Sequence, residues 1–176
     1  MITFIIGGAR SGKSAFALSE ASGTKGKKAY IATAQALDEE MRQRIEKHKK
    51  ERPAEWTTIE EPLEVSSLIK DIQKNYEVIL IDCLTLWLSN LMLNNKDVEK
   101  EIGSFISALS PLASASRPGR QPSALFIVSN EVGMGIVPEN EAARTFRDLA
   151  GTLNRKVAGI SDEVYLVTAG IPIKIK

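Results

Sequence analysis

The sequence predicts a layered α/β domain built on a mostly parallel sheet, and three observations lead there. Most of five short apolar runs are continuous rather than alternating, as strands covered on both faces are. Longer stretches with helical periodicity separate them, giving the strand–helix–strand order of a parallel sheet. The first run leads directly into a glycine-rich turn, GGARSGKS at 7–14.

Each element follows from local pattern. The strands are ITFII (2–6), KAYIAT (28–33), EVILIDC (77–83), ALFIVS (124–129) and EVYLVTA (163–169), with IPIKI as a further edge piece at the end. Helices are expected near 13–21, 38–51, 63–74, 84–94, 98–113 and 139–159. Asp38 is placed to cap the second helix, and Pro53 stops it by disfavouring helix at Arg52. SRPGRQPS (116–123), rich in Pro, Gly and Arg, reads as a loop before a strand. No repeat, low-complexity tract or linker divides the chain, so residues 1–176 are expected to form a single domain. With the glycine-rich turn included, the expected class is a P-loop NTPase of RecA-like type, its sheet covered by helices on both faces.

Composition removes several functions. With 23 basic and 22 acidic residues the net charge is +1, so nothing draws the chain generally to nucleic acid or an anionic membrane. The single cysteine, Cys83, excludes an internal disulfide and a CxxC metal framework. The N-terminal apolar run reaches glycine at once with no basic segment before it, unlike a signal peptide. The longest apolar stretch, LTLWLSNLML, is too short to span a bilayer and carries Ser89 and Asn90. A soluble cytoplasmic protein, with no nucleic acid and no membrane insertion, is expected.

GGARSGKS matches G-x-x-x-x-G-K-[ST] from Gly7 to Ser14. Gly7 and Gly12 permit backbone conformations in which successive N–H groups point into one concavity. The following helix adds the positive end of its dipole. Lys13 would reach the β- and γ-phosphates, and the Ser14 hydroxyl would bind Mg²⁺. Arg10 either adds charge beside the phosphates or faces solvent. Asp82, closing a buried strand, has the type and position of the acid that holds the metal through water; the other reading is a strand-end turn or helix-cap aspartate. Cys83 reads as a small buried residue.

The only histidine, His48, lies in RIEKHKKERP (44–53), among Lys47, Lys49, Lys50 and Arg52. At about 100° per residue Met41, Ile45 and His48 share one stripe, with Arg44 at its margin, so the imidazole faces inward or along a cleft rim. Two readings stand side by side. One is a packing histidine. The other is a nucleophile toward phosphorus, with the surrounding cations stabilising charge on the phosphoryl oxygens.

GGARSGKS, YIATAQALDEEMRQRIEKHKKERPAEWTTIEEP, LIDCLTLWLSNL and the stretch from VSNEVGMGIVPEN to the end are together similar to one family. The chain resembles, over nearly its whole length and in order, the adenosylcobinamide kinase/adenosylcobinamide-phosphate guanylyltransferase family of cobalamin biosynthesis. The R-I-x-x-H-x-x-x-R-P-x-x-W-x-T-x-E pattern and the N-E-V-G-x-G-I-V-P-E-N stretch are more specific than the phosphate loop.

The resemblance implies two reactions: phosphorylation of the aminopropanol hydroxyl of adenosylcobinamide, then transfer of GMP from GTP to that phosphate with release of pyrophosphate. It implies a guanylylated histidine at His48 and a role for Lys13 in catalysis. Gly7, Gly8, Ala9, Arg10, Ser11, Gly12, Lys13 and Ser14 would hold the GTP triphosphate. Ala32, Thr33 and Ala34, then Lys49, Lys50, Glu51 and Arg52, match nucleotide-contacting segments. Glu60 and Asp82 match nucleotide-site carboxylates: Glu60 is favoured to read guanine N1–H and N2, and Asp82 to lie nearer the metal, though the two can exchange. From the residues alone Glu60 reads equally as an exposed acid in a turn. NEVGMGIVPEN (130–140) should leave the sheet at the same edge as the phosphate loop, to close over the corrinoid arm, line a subunit contact or simply connect. Trp56, Trp87 and Phe146 are expected as core or interface fillers rather than stacking platforms. The resemblance further implies a homotrimer, with ATP or GTP as the phosphate donor. The competing readings are a P-loop small-molecule kinase without a covalent step and a non-catalytic nucleotide-binding regulatory module.

Overall fold

The computed structural model describes residues 1–50, 52–113 and 124–176, and for residues 44 and 111–113 the backbone alone. Glu51 and the 116–123 loop therefore lie outside the described residues.

Seven strands form one sheet: β1 (Ile2–Gly7), β2 (Lys28–Ala32), β3 (Trp56–Glu60), β4 (Val78–Asp82), β5 (Ala124–Asn130), β6 (Glu163–Thr168) and β7 (Ile171–Lys174). Their order is β3-β2-β4-β5-β1-β6-β7, parallel except for β7 against β6. The helices are α1 (Lys13–Gly23), α2 (Glu39–Lys50), α3 (Val65–Ile72), α4 (Leu84–Leu93), α5 (Val98–Ala113) and α6 (Glu141–Ile160). The expected strands and helices all form, with ends displaced by one or two residues. One strand was not anticipated: β3, an edge strand, in which Thr57 and Thr58 are exposed and Ile59 is only partly buried.

The two faces are covered unequally. On one, α3, α4, α5 and α6 pack over Ile2, Phe4, Ile31, Ile79, Ile81, Leu125 and Ile127 around the fully buried Trp87. Trp87 packs on Phe105, the rings tilted with centroids 5.0 Å apart, and donates its indole N–H to the Leu63 carbonyl at 2.8 Å. On the other face α1 lies over Ile5, Leu80, Phe126 and Val128. Its buried stripe is Lys13, Ala17 and Ala21, so the small alanines admit the helix while the same stripe turns Lys13 inward. Trp56 and Trp87 are buried and Phe146 packs against the core, as expected of fillers.

Parallel register is what assembles the site. Ala32 pairs with both Glu60 and Asp82, and Gly7 pairs with Asn130, so the carboxyl ends of five strands finish in one row. Loops leaving that edge share one space above the sheet.

Candidate functional site

At that edge the chain passes from β1 through the phosphate loop into α1. Gly7 is a steric requirement: a Cβ there would lie 2.3 Å from the Val167 carbonyl oxygen and 2.6 Å from Ser11 Oγ. Gly12 caps α1 at φ +91°, a left-handed conformation that favours glycine. Lys13 is buried and donates to the Gly8 carbonyl at 3.0 Å. Ser11 Oγ is buried with no hydrogen-bond partner, an unmet polar group inside the loop. Arg10 is exposed, as are Gly8 and Ala9.

A cavity of about 370 Å³ opens over the loop, within the size range of ligand pockets. Lys13 and Ser14 line it from α1, Asp82 from β4, Ala32 and Ala34 from the end of β2, Glu60 from β3, and Asn130 and Glu131 from the end of β5. Met41, Ile45 and His48 line it from α2, the stripe that helical spacing predicts. That helix starts on its expected cap, with the Met41 N–H donating to Asp38 Oδ1 at 2.7 Å. None of its described side chains is fully buried, so α2 rests across the cavity rather than in the core. A shallower groove along α1 shares Ser14, Tyr30, His48 and Arg52 with the cavity, so the imidazole is reached from two sides.

A polar network fixes the far wall. The Tyr30 hydroxyl donates to Asp82 Oδ2 at 2.7 Å, and the Arg52 guanidinium lies 3.8 Å above the Tyr30 ring. Burial first, and then the Asp82 charge, push the Tyr30 hydroxyl well above its ordinary pKa. Arg52 donates to Thr58 Oγ1 at 3.2 Å, while its Nε is buried without a partner. Asp82 does not cap α4, since the cap position is Cys83. The Cys83 thiol is buried and pushed up to about 11, chiefly by burial and then by Asp82.

The remaining expected residues separate by role. Thr33 is fully buried, and its hydroxyl donates to the Cys83 carbonyl and accepts from the Cys83 N–H, tying β2 to β4 beneath the cavity. Glu60 ends β3 rather than lying in a turn, and pairs with Lys49 at 2.6 Å, an exposed contact that raises the Lys49 pKa. Lys50 faces a depression on the outer side of α2, away from the cavity. The structure thus brings His48, Lys13, Ser14, Arg52, Glu60 and Asp82 together and leaves Arg10 and Lys50 outside. Asn130 and Glu131 open the NEVGMGIVPEN segment and reach the phosphate-loop edge as expected, though neither was assigned an individual role; Tyr30 was given none. A tyrosine within an otherwise apolar strand was the available signal for Tyr30.

Comparison with known proteins identifies the family. A family described as cobinamide kinase / cobinamide phosphate guanyltransferase matches residues 3–175. The bifunctional adenosylcobalamin biosynthesis protein CobU of Escherichia coli (strain K12) is 42% identical over 192 residues, spanning all of both chains. CobP of Pseudomonas aeruginosa, named for the same bifunctional role, is 40% identical over 176 residues, covering all of this chain and 98% of that one. CobU of Salmonella typhimurium is 41% identical over the full length of both. Among solved structures, an ATPase from the type III secretion system of pathogenic bacteria matches with TM-score 0.57 at 10% identity, over 98% of this chain and 56% of that one. The assembled type III secretion ATPase EscN of enteropathogenic E. coli gives 0.53 at 12%, over 96% and 43%. These last likenesses establish the P-loop ATPase fold, and the full-length identities establish more: the chain belongs to the cobinamide kinase / cobinamide phosphate guanyltransferase family.

Proposed function

We propose that this chain phosphorylates the aminopropanol hydroxyl of adenosylcobinamide and then transfers GMP from GTP to the resulting phosphate through a covalent intermediate on His48. The observation that carries this reading is that His48 lines the same cavity as Lys13, Ser14 and Asp82. The loop amides, the α1 terminus and Lys13 receive the triphosphate, and Arg52 adds charge at the opposite wall. Ser14 and Asp82 present a hydroxyl and a carboxylate to this space, the hard oxygen donors that Mg²⁺ takes, so these two residues would hold it. When bound it neutralises triphosphate charge.

In guanylyl transfer a ring nitrogen of His48 bonds to the α-phosphorus of GTP. The bond from that phosphorus to the α–β bridging oxygen breaks, and pyrophosphate leaves with the electron pair. Lys13 stabilises the charge on the leaving oxygens. An oxygen of the cobinamide phosphate then attacks the same phosphorus, the P–N bond breaks, and adenosyl-GDP-cobinamide forms as His48 is restored. Glu60 offers an acceptor to guanine N–H groups, with Lys49 holding it at the rim, while Asp82 lies nearer the metal. ATP and GTP both fit the phosphate-donor role in the first step. We further assign the chain to the cytoplasm and to a homotrimer. No helix among the described residues is long and apolar enough to cross a membrane. Exposed Met134, Ile136 and Val137 follow the cavity-lining Val132, and Ile171, Ile173 and Ile175 are exposed around edge strand β7; both suit contacts between subunits.

The test is to treat the protein with GTP labelled at the α-phosphate. Acid-labile, base-stable label that adenosylcobinamide phosphate discharges is expected. Transfer of the γ-phosphate alone, with no protein label, would point to an ordinary kinase. Binding with neither would point to a regulatory module.

A further inference from the structure

The two reactions proposed above, on which this inference rests, make different demands on the protein. The nucleophiles of guanylyl transfer, an imidazole nitrogen and a phosphate monoester oxygen, attack without first losing a proton. The nucleophile of phosphorylation is an alcohol, and its proton must go somewhere. One site therefore needs a proton acceptor for one of its reactions only.

Three carboxylates line the cavity. Glu60 is paired with Lys49 at 2.6 Å. Asp82 accepts from Tyr30 at 2.7 Å and stands with Ser14 as a metal-type donor. Glu131 is different. Its Oε1 accepts the Gly133 N–H at 2.6 Å, and its Oε2 has no hydrogen-bond partner among the described residues. Its backbone is stitched to the start of the phosphate loop, the Glu131 N–H donating to the Gly7 carbonyl at 3.0 Å. The preceding residue is pinned on both sides: the Asn130 N–H donates to Thr85 Oγ1 at 2.6 Å, and its carbonyl accepts from Asn154 Nδ2 at 3.1 Å. A Cβ at position 133 would come within 3.0 Å of Glu131 Oε1, so glycine there lets the carboxylate fold back against the loop. The result is a carboxylate of fixed position, half-buried, with one oxygen uncommitted beside the strand that carries the phosphate cradle.

We propose that Glu131 is the general base of the phosphorylation step, the role an aspartate plays in protein kinases. The acceptor hydroxyl oxygen forms a bond to the γ-phosphorus. The bond from that phosphorus to the β–γ bridging oxygen breaks, and the nucleoside diphosphate leaves with its electron pair. The hydroxyl proton passes to Glu131, which returns it to solvent before the next turnover.

Glu131→Gln tests this, because the carboxamide oxygen still accepts the Gly133 N–H while the basicity is lost. In the full-length protein, γ-phosphate transfer to adenosylcobinamide and His48 labelling by α-labelled GTP are measured on the same preparation. General-base loss is expected to lower phosphorylation kcat about a hundredfold or more. The ratio of phosphorylation to labelling should fall at least about thirtyfold. Equal loss of both reactions, or an unchanged ratio, would overturn the assignment. Glu131→Asp keeps a base on a shorter arm and should restore part of the phosphorylation rate. An Asp variant that loses both reactions in parallel would also overturn it, even where the Gln variant does not fold. Wild-type protein that labels His48 but phosphorylates nothing would remove the base role and the first half of the proposed function together, whereas wild type active in both with an unaffected Gln variant removes the base role alone.

Discussion

Replacing Tyr30 with phenylalanine deletes one oxygen atom, and the structure gives the expected loss. The ring is held without its hydroxyl, by a T-shaped contact with Trp56 at 6.2 Å and by the Arg52 guanidinium 3.8 Å above it. What disappears is the 2.7 Å bond to the Asp82 carboxylate. A hydrogen bond to a charged group contributes about 1.5–3 kcal/mol. At roughly 2–4 °C per kcal/mol for a domain of this size, Tm should fall by about 3–12 °C. The pH dependence is distinctive. The folded state holds this hydroxyl well above its ordinary pKa of 10.0, first by burial and then by the Asp82 charge. Its stabilising contribution is therefore complete below that ordinary value and is lost above it, where the unfolded chain releases the proton and the folded chain does not. Urea unfolding followed by tryptophan fluorescence should give a wild-type advantage that is constant between about pH 7 and 9 and closes above about pH 10. A difference below about 0.5 kcal/mol at neutral pH, or one that widens in alkali, would refute the reasoning.

Three further outcomes are expected. Gly7→Ala places a Cβ 2.3 Å from the Val167 carbonyl, which backbone movement alone can relieve; chemical denaturation should register a loss of about 1–3 kcal/mol, and nucleotide binding should weaken with it. Lys13→Ala removes a phosphate contact that both reactions use, so each kcat should drop at least about a hundredfold in product assays, and a selective loss of one would contradict a shared cradle. Cys83, buried and pushed up to about 11, should react with iodoacetamide at about pH 8 at least a hundredfold more slowly in the native protein than in urea; the thiol's contribution to stability is complete below its ordinary value of 9.0 and declines as pH rises toward about 11.

Much of this molecule was legible in the sequence because its signals are local. Continuous apolar runs marked the central strands, and the spacing of Met41, Ile45 and His48 correctly turned one face of α2 toward a cleft. The phosphate loop was evident from glycine positions whose steric reason the coordinates then supply. β3 escaped because an edge strand needs only one buried face, and Thr57, Thr58 and Glu60 are exposed. The segment from Asn130 was expected at the phosphate-loop edge, but strand order is a property of crossovers, not of residues, so its place between the loop and Asp82, with β5 separating β1 from β4, was not legible. Tyr30 went unremarked for a related reason: its partner Asp82 lies 52 residues away and meets it only through the β2–β4 pairing. His48 was ambiguous on its own, since a half-buried histidine on a cationic helix has two readings; its sharing a cavity with Lys13 favours one of them.

Because the chain contains a single histidine, the central claim has a direct measurement. Intact-mass and peptide mapping of protein incubated with GTP and Mg²⁺ should find one added GMP, carried by the peptide containing His48, with none on His48→Ala protein that still binds GTP within about threefold of wild type. GMP on a different side chain, or full guanylyl transfer by the His48→Ala variant, would contradict it.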